Sequence, residues 1–352
     1  MNTNIHFYLP KIHDLTTGGN LFNRMMMKHL SATMPVSVQI VDSISKISDE
    51  LPSDPIHLAH ESHIFILDSL LLNNFDQTDL SRLKGENGKF FLMVHYLDLI
   101  DPKNASSANA QQQKNLFPSF DGFIVTSQNS RNMLVKHGIA PDKISVITPG
   151  IDPIFRSSHQ RQNDGSVKIL TVSSLLNGKG LFEFLSILED LSDLHWTWQI
   201  VGETRLDENF SATFKERIQK STVRSRIILT GAVDQKKLAE NYRQSDIFIT
   251  PSQFESCSMV TMEAMAASLP ILAYAVGGLS ELVQVEKNGF LVDNFDRDNF
   301  KRALVRLIQD ADLRQRFGRM SQTFSRKFPG WEESMDKLKS FLTNFVSSKQ
   351  LS

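Results

Sequence analysis

The 352-residue sequence is poor in three features that would otherwise direct its interpretation: cysteine, net charge and long apolar stretches. A single cysteine cannot form an internal disulfide, which is typical of a reducing compartment. The 38 basic and 39 acidic side chains nearly cancel, so no strong field draws the chain to nucleic acid or anionic lipid. No apolar run reaches the roughly 18 residues of a membrane span, and the N-terminus lacks the pattern of a signal peptide. We therefore expect a cytoplasmic protein that does not bind nucleic acid.

What the sequence does contain is the composition of an ordinary soluble globular protein, with 41% hydrophobic and 22% charged residues. At about 150 residues per domain, its length suits a little over two domains. The polar stretch Thr148–Ser166 holds two prolines and two glycines without periodicity and marks the expected break. We assign residues 1–152 to an N-terminal domain and residues 153–330 to a C-terminal domain. An amphipathic helix at about 331–347 could pack back across either domain and is assigned to the first.

Short apolar, β-rich runs alternate with segments of helical periodicity along the whole chain. This alternation predicts an α/β protein with parallel sheets covered by helices on both faces. The runs form two clusters of five, which favours two Rossmann-like domains over one large sheet. The predicted strands are Ile5–Leu9, Val36–Val41, Ile64–Leu67, Phe90–His95 and Phe123–Thr126, then Val167–Val172, Trp196–Val201, Arg226–Leu229, Ile247–Thr250 and Pro270–Ala273. Ligands of such sheets bind at the carboxyl ends of strands, so two facing domains would enclose a cleft.

The strongest functional signal is the segment Asp246–Val283, in which a buried strand leads to Glu255 in a short loop and then to a helix carrying Glu263. The start of a helix offers N–H groups and partial positive charge to phosphate oxygens. Glu263, one turn in, is placed to accept hydrogen bonds from a vicinal diol such as that of ribose. Glu255 can reach whatever is attached to the phosphate. The alternative is that Glu263 only complements the helix dipole and Glu255 is a solvated loop residue.

This segment resembles the retaining glycosyltransferases of family 4, whose GT-B fold consists of two facing Rossmann-like domains. Their pattern is roughly P-S-x-x-E-x-x-x-x-x-x-x-E-A-M-A, followed by G-x-P-[IV] and G-G-x-x-E. It is matched here by Pro251, Ser252, Glu255, Glu263, Ala264, Met265, Ala266, Pro270, Ile271, Gly277, Gly278 and Glu281. The resemblance implies that Glu255 holds hydroxyls of a donor sugar and that Glu263 holds the ribose of a nucleotide. The backbone contacts that it implies to sugar and diphosphate come from Cys257, Ser258, Met259 and Val260.

A second motif, Ile169–Leu185, combines a strand, a glycine-containing turn, Lys179 and the start of a helix. Such an arrangement binds phosphate, with the lysine as a point charge for a leaving diphosphate. It resembles the family segment V-G-R-L-x-x-x-K-G, except that the arginine position is occupied by Ser174. The missing cation removes a charge-assisted contact typically worth about 2 kcal/mol. Either another cation replaces it or turnover is weak; alternatively, Lys179 is only a solvated turn residue.

In the N-terminal half, Gly18 and Gly19 follow the first predicted strand and open a helix. The resemblance implies a glycine loop whose backbone approaches the donor phosphate, and a simple turn is the alternative. Arg24, one turn later, is a candidate for the missing cation.

The acceptor side is predicted from residues that end strands. The resemblance implies that His95 lies near the anomeric centre and the acceptor, with a core histidine as the alternative. Asp68 and Asp98 are further acceptor candidates, and a capping role is the alternative for Asp68.

Taken together, these features predict a retaining glycosyltransferase that moves a sugar from a nucleotide-diphosphate sugar to a hydroxyl of a glycan, lipid or small molecule. His95, Lys179 and Glu255 are its expected catalytic residues, and the resemblance implies no metal, no other cofactor and no enzyme nucleophile. Two alternatives stay open: a GT-B epimerase or phosphorylase acting on a sugar phosphate, and a non-catalytic nucleotide-sugar binding protein. Peripheral contact with the inner face of a membrane is an option, since the acceptor could be a lipid. The sequence specifies neither base, sugar, acceptor nor oligomeric state.

Overall fold

The computed structural model describes residues 3–41, 62–84, 88–101, 103–156 and 165–347. It divides into two compact units. The first unit comprises Met1–Asp14, Gly19–Pro149 and Trp331–Ser352, and the second comprises Leu15–Gly18 and Gly150–Gly330. The main boundary, between Pro149 and Gly150, falls inside the polar stretch Thr148–Ser166.

The first unit contains a six-stranded parallel sheet. Its strands are β1 (Thr3–Pro10), β2 (Val36–Val41), β3 (Ser62–Asp68), β4 (Gly88–Val94), β5 (Gly122–Val125) and β6 (Ile144–Val146). They are ordered β2-β1-β3-β4-β5-β6. The helices before residue 150 are α1 (Gly18–Ser31), α2 (Gln77–Lys84), α3 (Ala108–Leu116) and α4 (Gln128–Lys136). The central strands β3 and β4 are nearly continuous buried apolar runs, as expected where helices cover both faces of a parallel sheet.

The second unit repeats this plan. Its strands are β7 (Val167–Val172), β8 (Trp196–Val201), β9 (Ile227–Gly231), β10 (Ile247–Thr250), β11 (Ile271–Tyr274) and β12 (Gly289–Val292), ordered β12-β11-β10-β7-β8-β9. Its helices are α5 (Leu181–Glu189), α6 (Glu208–Gln219), α7 (Gln235–Arg243), α8 (Met259–Ala266), α9 (Leu279–Leu282), α10 (Arg297–Gln309) and α11 (Ala311–Ser325). Because β7 and β10 are neighbours, the loops that follow them lie side by side at the carboxyl edge.

The C-terminal helix α12 (Trp331–Ser347) belongs to the first unit. Its apolar positions Met335, Leu338 and Leu342 recur at helical spacing and are buried in the core of that unit. Trp331 packs edge-on against Phe22 of α1 with 6.0 Å between ring centroids. None of the helices in the described ranges combines the length and apolarity that a membrane crossing requires.

The α/β prediction is confirmed, and all ten predicted strands are present to within two residues at either end. The expectation of five strands in each cluster was wrong, since each sheet has six. The two strands that the sequence pattern did not distinguish, β6 and β12, are only three and four residues long and lie at sheet edges. A short edge strand buries too little apolar surface to give a clear run in the sequence.

Candidate functional site

The loops after β7 and β10 bring two of the predicted site residues into contact. Lys179 Nζ lies 2.7 Å from Glu255 Oε1, and the two side chains are 27% and 14% exposed. A backbone hydrogen bond of 2.8 Å from Gln253 N to the carbonyl of Gly178 joins the same two loops. An ammonium has three N–H donors, so Lys179 can bind Glu255 and phosphate oxygens together. The pair therefore presents positive charge and a hydrogen-bond acceptor at one point of the carboxyl edge.

Two glycines fix the backbone around this ion pair. Gly180 has a φ of +68° and Gly277 a φ of +48°, a region that favours glycine. A Cβ at Gly180 would overlap the carbonyl oxygen of Pro251, and a Cβ at Gly277 would overlap that of Glu255. The neighbouring Gly278 N–H donates to the Glu255 carbonyl at 2.9 Å. The glycines of both motifs thus allow the loops to pack backbone against backbone, which sets the position of the Glu255 side chain.

Helix α8 starts directly after this loop. Its N-cap residue Ser258 is 1% exposed, and its hydroxyl bonds to Thr261 Oγ1 at 2.8 Å instead of capping a backbone N–H. Met259 and Val260, whose amides are among the predicted phosphate contacts, form the first turn, and half-buried Cys257 precedes it. The Ser258 side chain therefore does not cap the N–H groups at the start of α8. A helix terminus that binds an anion needs N–H groups that no side chain caps.

Glu263, the fifth residue of α8, is 5% exposed. The Tyr242 hydroxyl donates to Glu263 Oε2 at 2.9 Å and to the carbonyl of Val260 at 3.1 Å. Burial raises the pKa of Glu263 to about 7; the Tyr242 hydrogen bond opposes this shift, and the nearby carboxylate of Asp152 adds to it. Buried carboxyl groups with a pKa near neutrality are concentrated at functional sites, which favours a binding role for Glu263 over a role limited to the helix dipole.

Ser174, at the position of the family arginine, lies in the loop after β7, and this loop also contacts the loop after β8. Leu175 N donates to the carbonyl of Glu203 at 2.9 Å. Glu203 is 2% exposed and accepts hydrogen bonds from Arg205 Nε and Nη2 at 2.9 and 2.8 Å. The Arg205 guanidinium, together with two backbone N–H groups, lowers the pKa of Glu203 to about 2. Arg205 was not among the residues predicted from the sequence, although it lies in the loop that follows β8, in Gly202-Glu203-Thr204-Arg205.

In the first unit, His95 follows the last residue of β4 and forms a buried polar network. Its Nε2 lies 2.8 Å from Asn23 Oδ1 and 3.8 Å from Asp68 Oδ2. Asn23 Nδ2 donates to Asp68 Oδ2 at 2.7 Å, and Asn23 and Asp68 are each 1% exposed. Burial lowers the pKa of His95, and the neighbouring Asp68 opposes the shift. Asp68 also caps the short 3-10 helix after β3 by accepting from Leu70 N at 2.9 Å.

The glycine loop lies beside this histidine. Gly18 and Gly19 are the first residues of α1, and a Cβ at Gly19 would lie 3.1 Å from His95 Cγ. Phe22, one turn further, meets the imidazole edge-on with 6.0 Å between ring centroids. The first turns of α1 therefore hold the His95 ring in one orientation. Arg24, proposed from the sequence as a replacement cation, donates to the carbonyl of His13 at 3.3 Å.

Asp98 belongs to a second polar cluster just after β4. The Tyr96 hydroxyl lies 3.1 Å from Asp98 Oδ1 and 3.0 Å from Asp101 Oδ2, and Asn104 Nδ2 donates to the same hydroxyl at 2.9 Å. Burial and the two carboxylates raise the pKa of Tyr96. In the part of the chain that the structure describes, no group of three or more histidine, cysteine, aspartate or glutamate side chains could hold a metal ion.

Two family models match the chain: "Glycosyl transferases group 1" over residues 155–324, and "Glycosyltransferase Family 4" over residues 80–155. A curated relative, the D-inositol 3-phosphate glycosyltransferase of Xylanimonas cellulosilytica, is 38% identical over 112 residues, which are 32% of this chain and 27% of that protein. For three such relatives, the matched part is 27% to 54% of the relative's own length.

Solved structures extend the similarity to the whole fold. Sucrose-phosphate synthase from Thermosynechococcus elongatus superposes with a TM-score of 0.76 at 17% identity, over 97% of this chain and 99% of that chain. HepE from Anabaena, solved in complex with UDP and glucose, gives a TM-score of 0.74 at 17% identity, over 96% of this chain and 99% of that chain. The segments with Lys179, Glu255 and Glu263 all lie within the group 1 match. The resemblance seen in the sequence is therefore confirmed: the chain belongs to the family 4 glycosyltransferases and has the GT-B fold.

Proposed function

We propose that the protein is a retaining glycosyltransferase that moves a sugar from a nucleoside-diphosphate donor to a hydroxyl group of an acceptor. The observation that carries the proposal is the Lys179–Glu255 pair of 2.7 Å beside the start of α8, with Glu263 buried one turn into that helix. This arrangement supplies a cation for a diphosphate, a carboxylate for sugar hydroxyls and a second carboxylate for a ribose diol. These are the three chemical parts of a nucleoside-diphosphate sugar.

The role of Lys179 in this proposal is to stabilise the diphosphate as it leaves. Negative charge accumulates on the bridging phosphate oxygen when its bond to the sugar breaks, so a fixed ammonium binds the transition state more strongly than the ground state. The N–H groups at the start of α8 act in the same direction. Arg205, on the loop that contacts the Ser174 loop, is the candidate for the cation that the family places at position 174.

Glu255 is proposed to bind hydroxyls of the transferred sugar and not to attack its anomeric carbon. Its ion pair with Lys179 stabilises the carboxylate anion and therefore lowers its nucleophilicity. Retention of configuration without an enzyme nucleophile is then the simplest outcome, with the acceptor hydroxyl entering on the face that the diphosphate leaves. The acceptor would be a glycan, a lipid or a small molecule, with His95 on the acceptor side.

The named relatives support this reading without fixing the substrate. HepE was solved with UDP and glucose, and the names of the other two proteins describe sugar transfer or the synthesis of a sugar phosphate. A uridine nucleotide is therefore the first donor to test, with guanosine and adenosine nucleotides as the comparison.

The test has two stages. Thermal shift with UDP, GDP and ADP should show stabilisation by one base, because a ligand that binds only the native state stabilises it by mass action. The matching nucleotide sugars are then incubated with alcohol and glycan acceptors, and the anomeric configuration of the product is read by NMR. A product with retained configuration, formed at least tenfold more slowly by Lys179→Ala, supports the proposal.

Other outcomes contradict it in distinguishable ways. An inverted product would exclude retention. A phosphate-dependent product would indicate a phosphorylase, and an altered sugar nucleotide without an acceptor would indicate an epimerase. Tight nucleotide binding without turnover on any acceptor would favour a binding protein.

A further inference from the structure

The buried network around His95 contains one group whose orientation is decided by its neighbours. Asn23 has a carbonyl oxygen and an NH2 group that could exchange places by rotation of the amide. Asp68 Oδ2, 2.7 Å away, is a carboxylate oxygen that only accepts, so it selects the Asn23 NH2 group. The Asn23 carbonyl oxygen is then the atom that faces His95 Nε2 at 2.8 Å.

That orientation determines where His95 carries its proton. A carbonyl oxygen cannot donate, so the hydrogen bond exists only if Nε2 is the N–H of the imidazole. Burial lowers the pKa of His95, which keeps the ring neutral. In a neutral ring with the proton on Nε2, the other nitrogen, Nδ1, bears the lone pair.

The ring is also held in place mechanically by the helix that carries Asn23. Gly19, Phe22 and Asn23 are spaced three and four residues apart and share one face of α1. A Cβ at Gly19 would lie 3.1 Å from His95 Cγ and 3.3 Å from Nδ1, so this face of the ring is packed against helix backbone. Ser69 Oγ accepts from the His95 backbone N–H at 3.0 Å and fixes the end of the strand.

We propose that Asp68 and Asn23 are positioning residues that hold His95 in the Nε2–H tautomer, the form in which the ring acts during sugar transfer. The proposal rests on the proposed function for its last step only. It also gives Asp68 a role different from direct acceptor contact: its two carboxylate oxygens accept from Asn23 and Leu70, and the side chain acts through His95.

The tautomer can be measured without any substrate. The 352-residue chain labelled with ¹⁵N-histidine has ten histidines, and the His95 signals are those lost in a His95→Gln variant. At pH 8, where an imidazole is neutral, we expect long-range ¹H–¹⁵N spectra to show a protonated Nε2 and an unprotonated Nδ1 for His95. A protonated Nδ1 in the wild-type protein would overturn the proposal, and this measurement needs no variant that might misfold.

Asp68→Asn tests the coupling. The new amide donates as well as accepts, so Asn23 can turn over and offer its NH2 group to His95 Nε2. We expect a substantial population with the proton on Nδ1 and a fall in kcat of roughly tenfold or more, with KM for the nucleotide sugar changed by less than about threefold. An unchanged tautomer in the folded variant would overturn the proposal, and so would a shifted tautomer with unchanged kcat.

The matched control is Asp79→Asn in α2 of the same unit. Asp79 is also buried and also accepts a backbone N–H, from Asp76 at 3.1 Å, so the variant loses a comparable carboxylate. It should leave the His95 spectrum and kcat unchanged; if it shifts the tautomer as Asp68→Asn does, the effect is general and the proposal fails. Failure of the proposed function can be distinguished from failure of this proposal, because the wild-type protein would then transfer no sugar.

Discussion

Among single residues, Glu263 has an environment unlike that of a surface carboxylate. It is nearly inaccessible, and burial raises its pKa to about 7. A protonated carboxyl group still offers oxygens to a ribose diol, but a carboxylate is the stronger acceptor. Ribose recognition and the ionisation of Glu263 should therefore be coupled.

We predict that nucleotide affinity rises with pH through the pKa of Glu263. If the carboxylate is the binding form, the ionised fraction increases about tenfold between pH 6 and pH 8, and affinity should follow it. Calorimetry at pH 6, 7 and 8 measures this. The nucleotide phosphates also titrate in this pH range, so Glu263→Gln is the control. Its affinity should change with pH only through the phosphates, because glutamine does not titrate. A wild-type pH dependence equal to that of Glu263→Gln would remove Glu263 from the ribose site.

The same shift predicts a cost in stability. A carboxyl group whose folded pKa is raised from 4.5 to about 7 stabilises the native state below pH 4.5 and loses that contribution as pH rises through 7. Glu263→Gln should therefore have a higher melting temperature than the wild type at pH 8, with the difference shrinking towards pH 5. Calorimetric scans without nucleotide measure the difference. An equal or lower melting temperature at pH 8 would contradict the burial argument.

Replacement of Lys179 should affect turnover much more than the stability of the fold. Partly exposed ion pairs contribute at most about 1 kcal/mol, so Lys179→Ala should change the melting temperature by no more than about 4 °C. Turnover should fall at least tenfold, because the ammonium is needed when the diphosphate leaves. Lys237→Ala, which breaks the Lys237–Glu240 pair of 2.8 Å on α7, is the matched control. Wild-type turnover in Lys179→Ala would assign the phosphate to another cation.

Local patterns predicted the identity of these residues but not their contacts. Lys179, Glu255, Glu263 and His95 each follow a strand or start a helix, which is a signal that a sequence displays. The Asn23–Asp68 bond joins residues 45 positions apart, and Lys179 and Glu255 are 76 apart. Such pairs form only when the sheet brings its strand ends together, so no local pattern reveals them.

Among the elements, the loops at the carboxyl edge of the second unit depend on glycine for two separable reasons. Gly178 and Gly180 both have positive φ in the loop after β7, yet a Cβ at Gly178 would meet nothing within 4 Å, whereas one at Gly180 would overlap the Pro251 carbonyl. Substitution of Gly178 therefore measures only the free energy of placing a side chain at positive φ. Substitution of Gly180 adds the free energy needed to move the two loops apart.

We predict that Gly178→Ala costs about 1 kcal/mol of stability, the usual penalty for a non-glycine residue at positive φ. Gly180→Ala should cost more and also weaken nucleotide binding, because the Glu255 loop must move. Denaturant titration and calorimetry on both variants test this. Equal losses in the two variants would mean that the contact between the loops is not needed to shape the site.

Strands of five or more residues were predicted well, including the edge strands β2 and β9, whereas the short edge strands β6 and β12 were not predicted. Val167–Val172, Trp196–Val201 and Ile247–Thr250 match the observed strands residue for residue. These strands are surrounded by protein, and their apolar runs end where burial ends. The short strands β6 and β12 pair on one side only, so their residues carry no comparable signal.

At the scale of the whole molecule, the chain carries two sheets of the same design with different chemistry at the strand ends. The second unit contains the cation and carboxylates suited to a nucleotide sugar, while the first unit contains the neutral His95 and its supporting network. If the donor and acceptor functions are divided in this way, variants of one unit should affect binding and variants of the other should affect transfer.

His95→Ala tests that division. Removal of His95 should leave nucleotide binding within about threefold, which is less than 1 kcal/mol, since the side chains predicted to bind the nucleotide sugar, Lys179, Glu255 and Glu263, lie in the second unit. Transfer should fall at least tenfold, because a group that aligns the reacting hydroxyl affects rate more than affinity. Binding, transfer and melting temperature should be measured on one preparation. A histidine with only a packing role would lower the melting temperature and impair both functions together, and transfer at the wild-type rate would show that His95 takes no part in the reaction.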